Sequence, residues 1–138
     1  MKSLKREVLG LLFAVAASVL PASAQDFKVY PGGKIDADAG RQASSKKSQS
    51  EVYVTSDSFD RVYAFYKGLY KEHPWKVPAP TLPSGKPVRW AFFILDGAKD
   101  LKESKFWLKI QYPYIRTVDE KADYKDIRDI TTIQTVHH

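Results

Sequence analysis

Three stretches of the chain have apolar patterns regular enough to predict their form. FWLKIQY (106–112) puts Phe106, Leu108, Ile110 and Tyr112 on one side and Trp107, Lys109 and Gln111 on the other. That is the two-residue period of a half-buried strand. TSDSFDRVYAFYKGLY (55–70) follows a helical period instead. At 100° per residue Phe59, Val62, Tyr63, Tyr66, Leu69 and Tyr70 gather on one side, with Asp60, Arg61, Ala64, Lys67, Gly68 and Lys71 opposite and Phe65 on the flank. The spacing predicts an amphipathic helix of about fourteen residues with its aromatic face in a core. Ser56 or Asp57 suits the N-cap, and Asp60 and Lys71 carry the charges favoured at the two ends.

VRWAFFIL (88–95) has no wet side. Trp90, Phe92 and Ile94 lie on one face, and Ala91, Phe93 and Leu95 on the other. A sheet with one solvated face alternates apolar and polar residues, so this strand predicts a ribbon dry on both sides. One helix covers only one of them. Burying a Phe or a Leu stabilises by roughly 1.5–3 kcal/mol, so a second cover is expected. The proline-rich connection with Trp75, a second copy of the chain, or a ligand or envelope partner could supply it.

The remaining pattern is weaker. Phe27–Tyr30 makes a short β-like run, stopped by Pro31-Gly32-Gly33, and EVYVT (51–55) alternates as a strand. DADAGRQASSKKSQS (36–50) holds almost no large apolar residue and predicts a flexible linker, because little burial offsets its chain entropy. EHPWKVPAPTLPSGKP (72–87) contains five prolines and predicts a long irregular connection. DGAKDLKESK (96–105) is the loop of a hairpin between the two strong strands. YIRTV extends the sheet, VDEKADYKD (118–126) could carry a helical turn, and ITTIQTV fits a last strand better than a helix. The expected fold is α+β, a small antiparallel β-sheet of about 4–5 strands with one amphipathic helix packed across one face.

The N-terminus changes the picture of where this domain works. Lys2, Lys5 and Arg6 precede an apolar stretch from Val8 to Leu20, and Ala22-Ser23-Ala24 supplies a small-x-small cleavage pattern. Residues 1–24 therefore read as a signal peptide cut before Gln25, too short to span as a helix. Residues 25–50 then form a short strand and linker, and 51–138 a single α+β domain, in the periplasm or secreted. There is no cysteine, so the exported chain holds its fold without disulfides and without thiol or cysteine–zinc chemistry. The net charge of +6 falls to +4 without the leader, and its lysines and arginines are dispersed. No basic block or RNA-binding signature points to nucleic acid.

Candidate chemistry is sparse. The three histidines are His73, beside Pro74, and the terminal His137 and His138, a poor set for a metal site. No zinc-protease, nucleophile-elbow or phosphate-loop pattern occurs, and neither a metal nor a cofactor is expected. VYVTSDSFDRVYAFYKGLY resembles, over about twenty residues carried by Asp57, Phe65 and Tyr66, the strand-then-helix opening of the vicinal-oxygen-chelate (glyoxalase/bleomycin-resistance) module. That family's His and Glu metal ligands have no counterparts in VRWAFFIL or FWLKIQY, so the resemblance implies no metal-dependent activity.

The expected function is non-catalytic, an interaction or accessory domain using the second sheet face. Trp107, Phe93, Trp75, Arg89 and Lys109 are its candidate binding residues, and its partner is a second copy, a ligand or an envelope protein. The opposing expectation is a small isomerase or hydrolase with a pocket between helix and sheet, where Tyr63, Tyr66 and Tyr112 are the polar handles.

Overall fold

A computed structural model describes residues 27–118, 121 and 124–138; the leader and its cleavage site lie outside them. In chain order the elements are β1 (Lys34–Ile35), α1 (Ala37–Ala43), β2 (Gln49–Thr55), α2 (Phe59–Lys67), β3 (Lys71–His73), β4 (Arg89–Ile94), β5 (Phe106–Tyr112), β6 (Tyr114–Val118), β7 (Tyr124–Arg128) and β8 (Thr131–His137). Six strands form one antiparallel sheet in the order β1-β2-β8-β5-β4-β3, and β6 and β7 pair separately. The α+β class stands, with more strands and one more helix than the pattern predicts.

The sequence of dry residues sets the layout. Ala91, Phe92, Phe93, Ile94 and Leu95 are all buried, so β4 is dry on both faces, as its pattern predicts. The hairpin register pairs Phe93 with Leu108 and Ala91 with Ile110, and the next strand adds Ile133 opposite Ile110. These side chains form one core with Phe59, Val62 and Tyr66 of α2. The register is fixed at the loop, where the Asp96 carboxylate accepts hydrogen bonds from the Lys105 N–H and the Ser104 hydroxyl at 2.7 Å each.

Helix α2 is shorter than the apolar spacing suggests. Ser58 is its N-cap, its side chain accepting from the Arg61 N–H, and Gly68 closes it. Ser58, not Ser56 or Asp57, takes this role because Asp57 is held elsewhere, accepting from the Tyr30 hydroxyl at 2.6 Å. Leu69 and Tyr70 then lie in the turn to β3. The expected strand at Phe27–Tyr30 is irregular; it is anchored by side chains, with the Phe27 ring stacked on Tyr66 and the Tyr66 hydroxyl donating to the Lys28 carbonyl at 2.8 Å.

The largest correction concerns residues 36–50. This stretch begins with helix α1, N-capped by Asp36 and docked on β2. It escapes the apolar pattern because its contact with the sheet is made by Ala39 and Gly40, which bury little area. A Cβ on Gly40 would sit 3.2 Å from the Ser50 carbonyl oxygen, and that closeness is what glycine permits. YIRTV also departs from expectation, since β6 leaves the main sheet after Pro113 and pairs with β7. Of 118–126, residues 118 and 124–126 are strand and 121 is in a turn; the rest of the stretch expected to carry a helical turn lies outside the described residues.

Candidate functional site

The face of the sheet turned away from α2 carries Trp90, Phe92 and Ile94 of β4, Trp107, Lys109 and Gln111 of β5, Thr132, Gln134 and Val136 of β8, and Val52 and Val54 of β2. Cross-strand pairing lines up Phe92, Lys109, Gln134 and Val52 in one row over four strands. Two different covers meet above it. At the β2 end α1 and Tyr114 of β6 form a small second core, Ala39 and Tyr114 against Val52. At the β4 end the proline-rich connection lays Trp75 over Phe92, ring centroids 4.9 Å apart. Phe92 also touches Trp90 at 5.8 Å and Trp107 at 6.0 Å, making an aromatic ridge.

Between these covers the sheet is not filled. A cavity of about 200 Å³ has Lys109, Gln111, Thr132 and Gln134 on its floor, and Ala39, Gln42 and Ala43 of α1 with Tyr114, Ile115 and Arg116 of β6 as walls. Lys109 is half-buried, and loss of solvent pushes its ammonium below the usual lysine range. Among the described residues it has neither a hydrogen bond nor an ion pair. The other polar groups are partly satisfied. Gln111 Nε2 donates to the Pro113 carbonyl at 3.2 Å, Gln134 Nε2 to the Ser50 hydroxyl at 3.5 Å, and the Thr132 hydroxyl to the Gln111 carbonyl at 3.4 Å.

The rim carries alternating charges. Arg116 reaches Asp38 and Asp126 at 4.0 Å each, Arg41 pairs with Asp38, and Arg128 pairs with Asp126 at 3.1 Å. Asp36 adds a third carboxylate whose field reaches Tyr114. Burial, then Asp36, holds the Tyr114 phenol above its ordinary pKa. Among the described residues three arginines face three aspartates, so this part of the rim is close to neutral and the uncompensated charge lies inside, on Lys109.

The expected site residues divide between the two faces. Trp107, Trp75 and Lys109 do share the second face. Phe93 does not: its pairing with Leu108 turns it under α2, where it is fully buried against Tyr63 and Tyr66. Arg89 also belongs to the α2 side, donating to Asp60 at 2.8 Å with its guanidinium over the Phe59 ring. Sequence reasoning missed Gln111, Thr132, Gln134, Tyr114, Arg116 and Gln42. The alternation in FWLKIQY and ITTIQTV carried a usable signal for the first three, polar residues recurring on one face of central strands.

No protein-family model, curated protein or solved structure matches the chain. Among the described residues no cluster of three or more His, Asp or Glu could hold a metal, and no helix is long and apolar enough to cross a membrane.

Proposed function

We propose that the protein is an exported, non-catalytic binding domain of the bacterial periplasm, and that the second face of its sheet holds the ligand. The observation that carries this reading is Lys109, a partly desolvated ammonium with no carboxylate partner among the described residues, on the polar floor of a cavity between the two covers of the sheet. An unpaired charge taken out of water costs free energy. A site that retains one is paired when a ligand arrives, whereas a purely structural position would be better filled by an apolar side chain.

The enzyme reading places its pocket between α2 and the sheet, and the polar groups there are already engaged. The Tyr66 hydroxyl donates to the Lys28 carbonyl, Tyr63 to Glu72, and Tyr112 to Asp129. Burial raises the Glu72 pKa, but the hydrogen bonds from Tyr63 and Lys67 outweigh it and hold the carboxyl below its ordinary range. This makes Glu72 a poor proton donor at neutral pH. The second face offers a cavity floored by a lysine that has no partner among the described residues, whereas these tyrosines of the α2 side are engaged.

Two experiments test the proposal. Residues 1–24 fused to an alkaline phosphatase lacking its own leader should give activity, since that enzyme folds only after export; an inactive fusion argues against the periplasm. A low-molecular-weight extract of the envelope, added to isotope-labelled protein, should shift the backbone amides around Lys109, Gln111, Gln134 and Arg116. Shifts confined to α2, or no shifts at all, would remove the binding reading.

A further inference from the structure

Resting on that reading, we infer that the cavity takes a small monocarboxylate with a short apolar tail, its carboxylate on the Lys109 ammonium. Size, charge and lining each narrow the choice. About 200 Å³ has room for several waters, which suits a compact molecule. Among the described residues the rim arginines are matched by Asp36, Asp38 and Asp126, so one positive charge, that of Lys109, is left for the ligand. A single unmatched charge suits a monoanion. A phosphate dianion would bring a second negative charge for which no unmatched cation is left among the described residues.

The neutral groups fit the same shape. Gln111 and Gln134 each use one amide N–H within the protein, and a primary amide has two, so each retains a donor for a carboxylate oxygen. Ala39, Ala43, Val52 and Ile115 give the rest of the cavity an apolar wall, on which a tail of a few methylenes would be stabilised by about 0.8 kcal/mol each. Lysine suits this role better than arginine. It presents a compact point charge on a flexible stem, and it rises from the row Phe92–Lys109–Gln134 in the middle of the sheet, with the aromatic ridge on one side and the small core on the other. The ligand also favours the protonated lysine, so binding moves its titration back toward the ordinary range.

The test is a titration of labelled protein at pH 7 and constant ionic strength with sodium butyrate, butyramide, inorganic phosphate and butylammonium. Butyrate is expected to saturate in the millimolar range and to shift Lys109, Gln111 and Gln134. Butyramide, of the same shape without charge, and butylammonium should bind at least tenfold more weakly. Lys109→Met, checked for an unchanged fold by its dispersed spectrum, should weaken butyrate at least tenfold and leave butyramide unaffected, while Lys109→Arg should retain part of the affinity. Butyramide matching butyrate, or an undiminished response in Lys109→Met, overturns the carboxylate assignment, as does phosphate binding tenfold better than butyrate. If all four probes fail but the envelope extract still shifts these residues, the binding domain stands and the ligand class is wrong. If the extract is silent as well, both fall, and the Lys109 ammonium is solvated by cavity water alone.

Discussion

The two faces of the same sheet are finished differently. Beneath α2, Phe93, Leu108, Ile110, Ile133, Val62 and Tyr66 are fully buried, and the tyrosine hydroxyls at the edge all find partners. On the other face the cover is assembled from three short pieces, α1, β6 and the proline-rich connection. They leave a cavity, a half-exposed tryptophan and an ammonium without a partner among the described residues. Residues that alternate along one strand thus serve two ends. Those facing α2 supply stability, and those facing away supply a surface whose polar groups are incompletely satisfied. The contrast teaches that a strand dry on both sides need not be sealed equally well on both.

The strongest way to break the comparison is to truncate equivalent aromatics on the two faces. Phe93→Ala should destabilise by about 3–5 kcal/mol, the usual range for a fully buried Phe, measured by urea unfolding. Trp107→Ala, on the half-buried ridge, should cost about 1–2 kcal/mol, nearer the ordinary cost of a substitution. Equal losses would erase the distinction between faces. Next in size is Gly40→Leu. The side chain would meet the Ser50 carbonyl and force α1 from β2, costing about 1–3 kcal/mol and opening the cavity wall without disturbing α2. Amide exchange that rises in α1 and β2 alone would bear this out.

A smaller effect carries the opposite sign. Lys109→Met should stabilise the unliganded protein by about 1 kcal/mol, because it replaces an unpaired, desolvated charge by an apolar chain of similar length. The folded pKa of Lys109 lies below the ordinary 10.5. Between the two values the unfolded chain keeps a proton that the folded chain has shed, so wild-type stability rises with pH across that window. The gain from Lys109→Met is therefore full below the folded pKa and vanishes as the pH approaches 10.5.

The α2 face has the reverse alkaline response. Burial raises the Tyr66 phenol well above its ordinary 10.0, although a backbone hydrogen bond from Tyr30 opposes this. Above pH 10 the unfolded chain ionises while the folded chain does not, and stability is lost as the pH climbs. Tyr66→Phe should flatten that alkaline fall while costing about 1 kcal/mol at neutral pH for the lost hydrogen bond. Melting temperatures followed from pH 7 to 11 in both variants would separate the faces by the sign of their slopes.

Much of this division is visible in the letters. VRWAFFIL announces two dry faces, FWLKIQY places Lys109 and Trp107 together, and FDRVYAFYK shows which helix face meets the core. What stayed hidden has physical causes. Alternation says that Phe93 and Phe92 oppose each other, but the assignment of Phe93 to Trp107's face or to Leu108's depends on a hairpin register set by Asp96 and Ser104 across a ten-residue loop. Helix α1 is invisible to an apolar pattern because alanine and glycine make its contact through closeness rather than area. Its only cue is Asp36 before Ala37-Asp38-Ala39, an N-cap ahead of good helix formers. Arg116 could not be found, since nothing in YIRTV shows that β6 turns out of the sheet and over its second face.

The most direct test of the account is the titration of Lys109 itself, followed through its ε-methylene resonances in the intact protein. It should titrate below the surface lysines and move to higher pH when butyrate is present. A midpoint indistinguishable from those of the exposed lysines, and unmoved by butyrate, would contradict the claim that this face keeps a charge in reserve for a ligand.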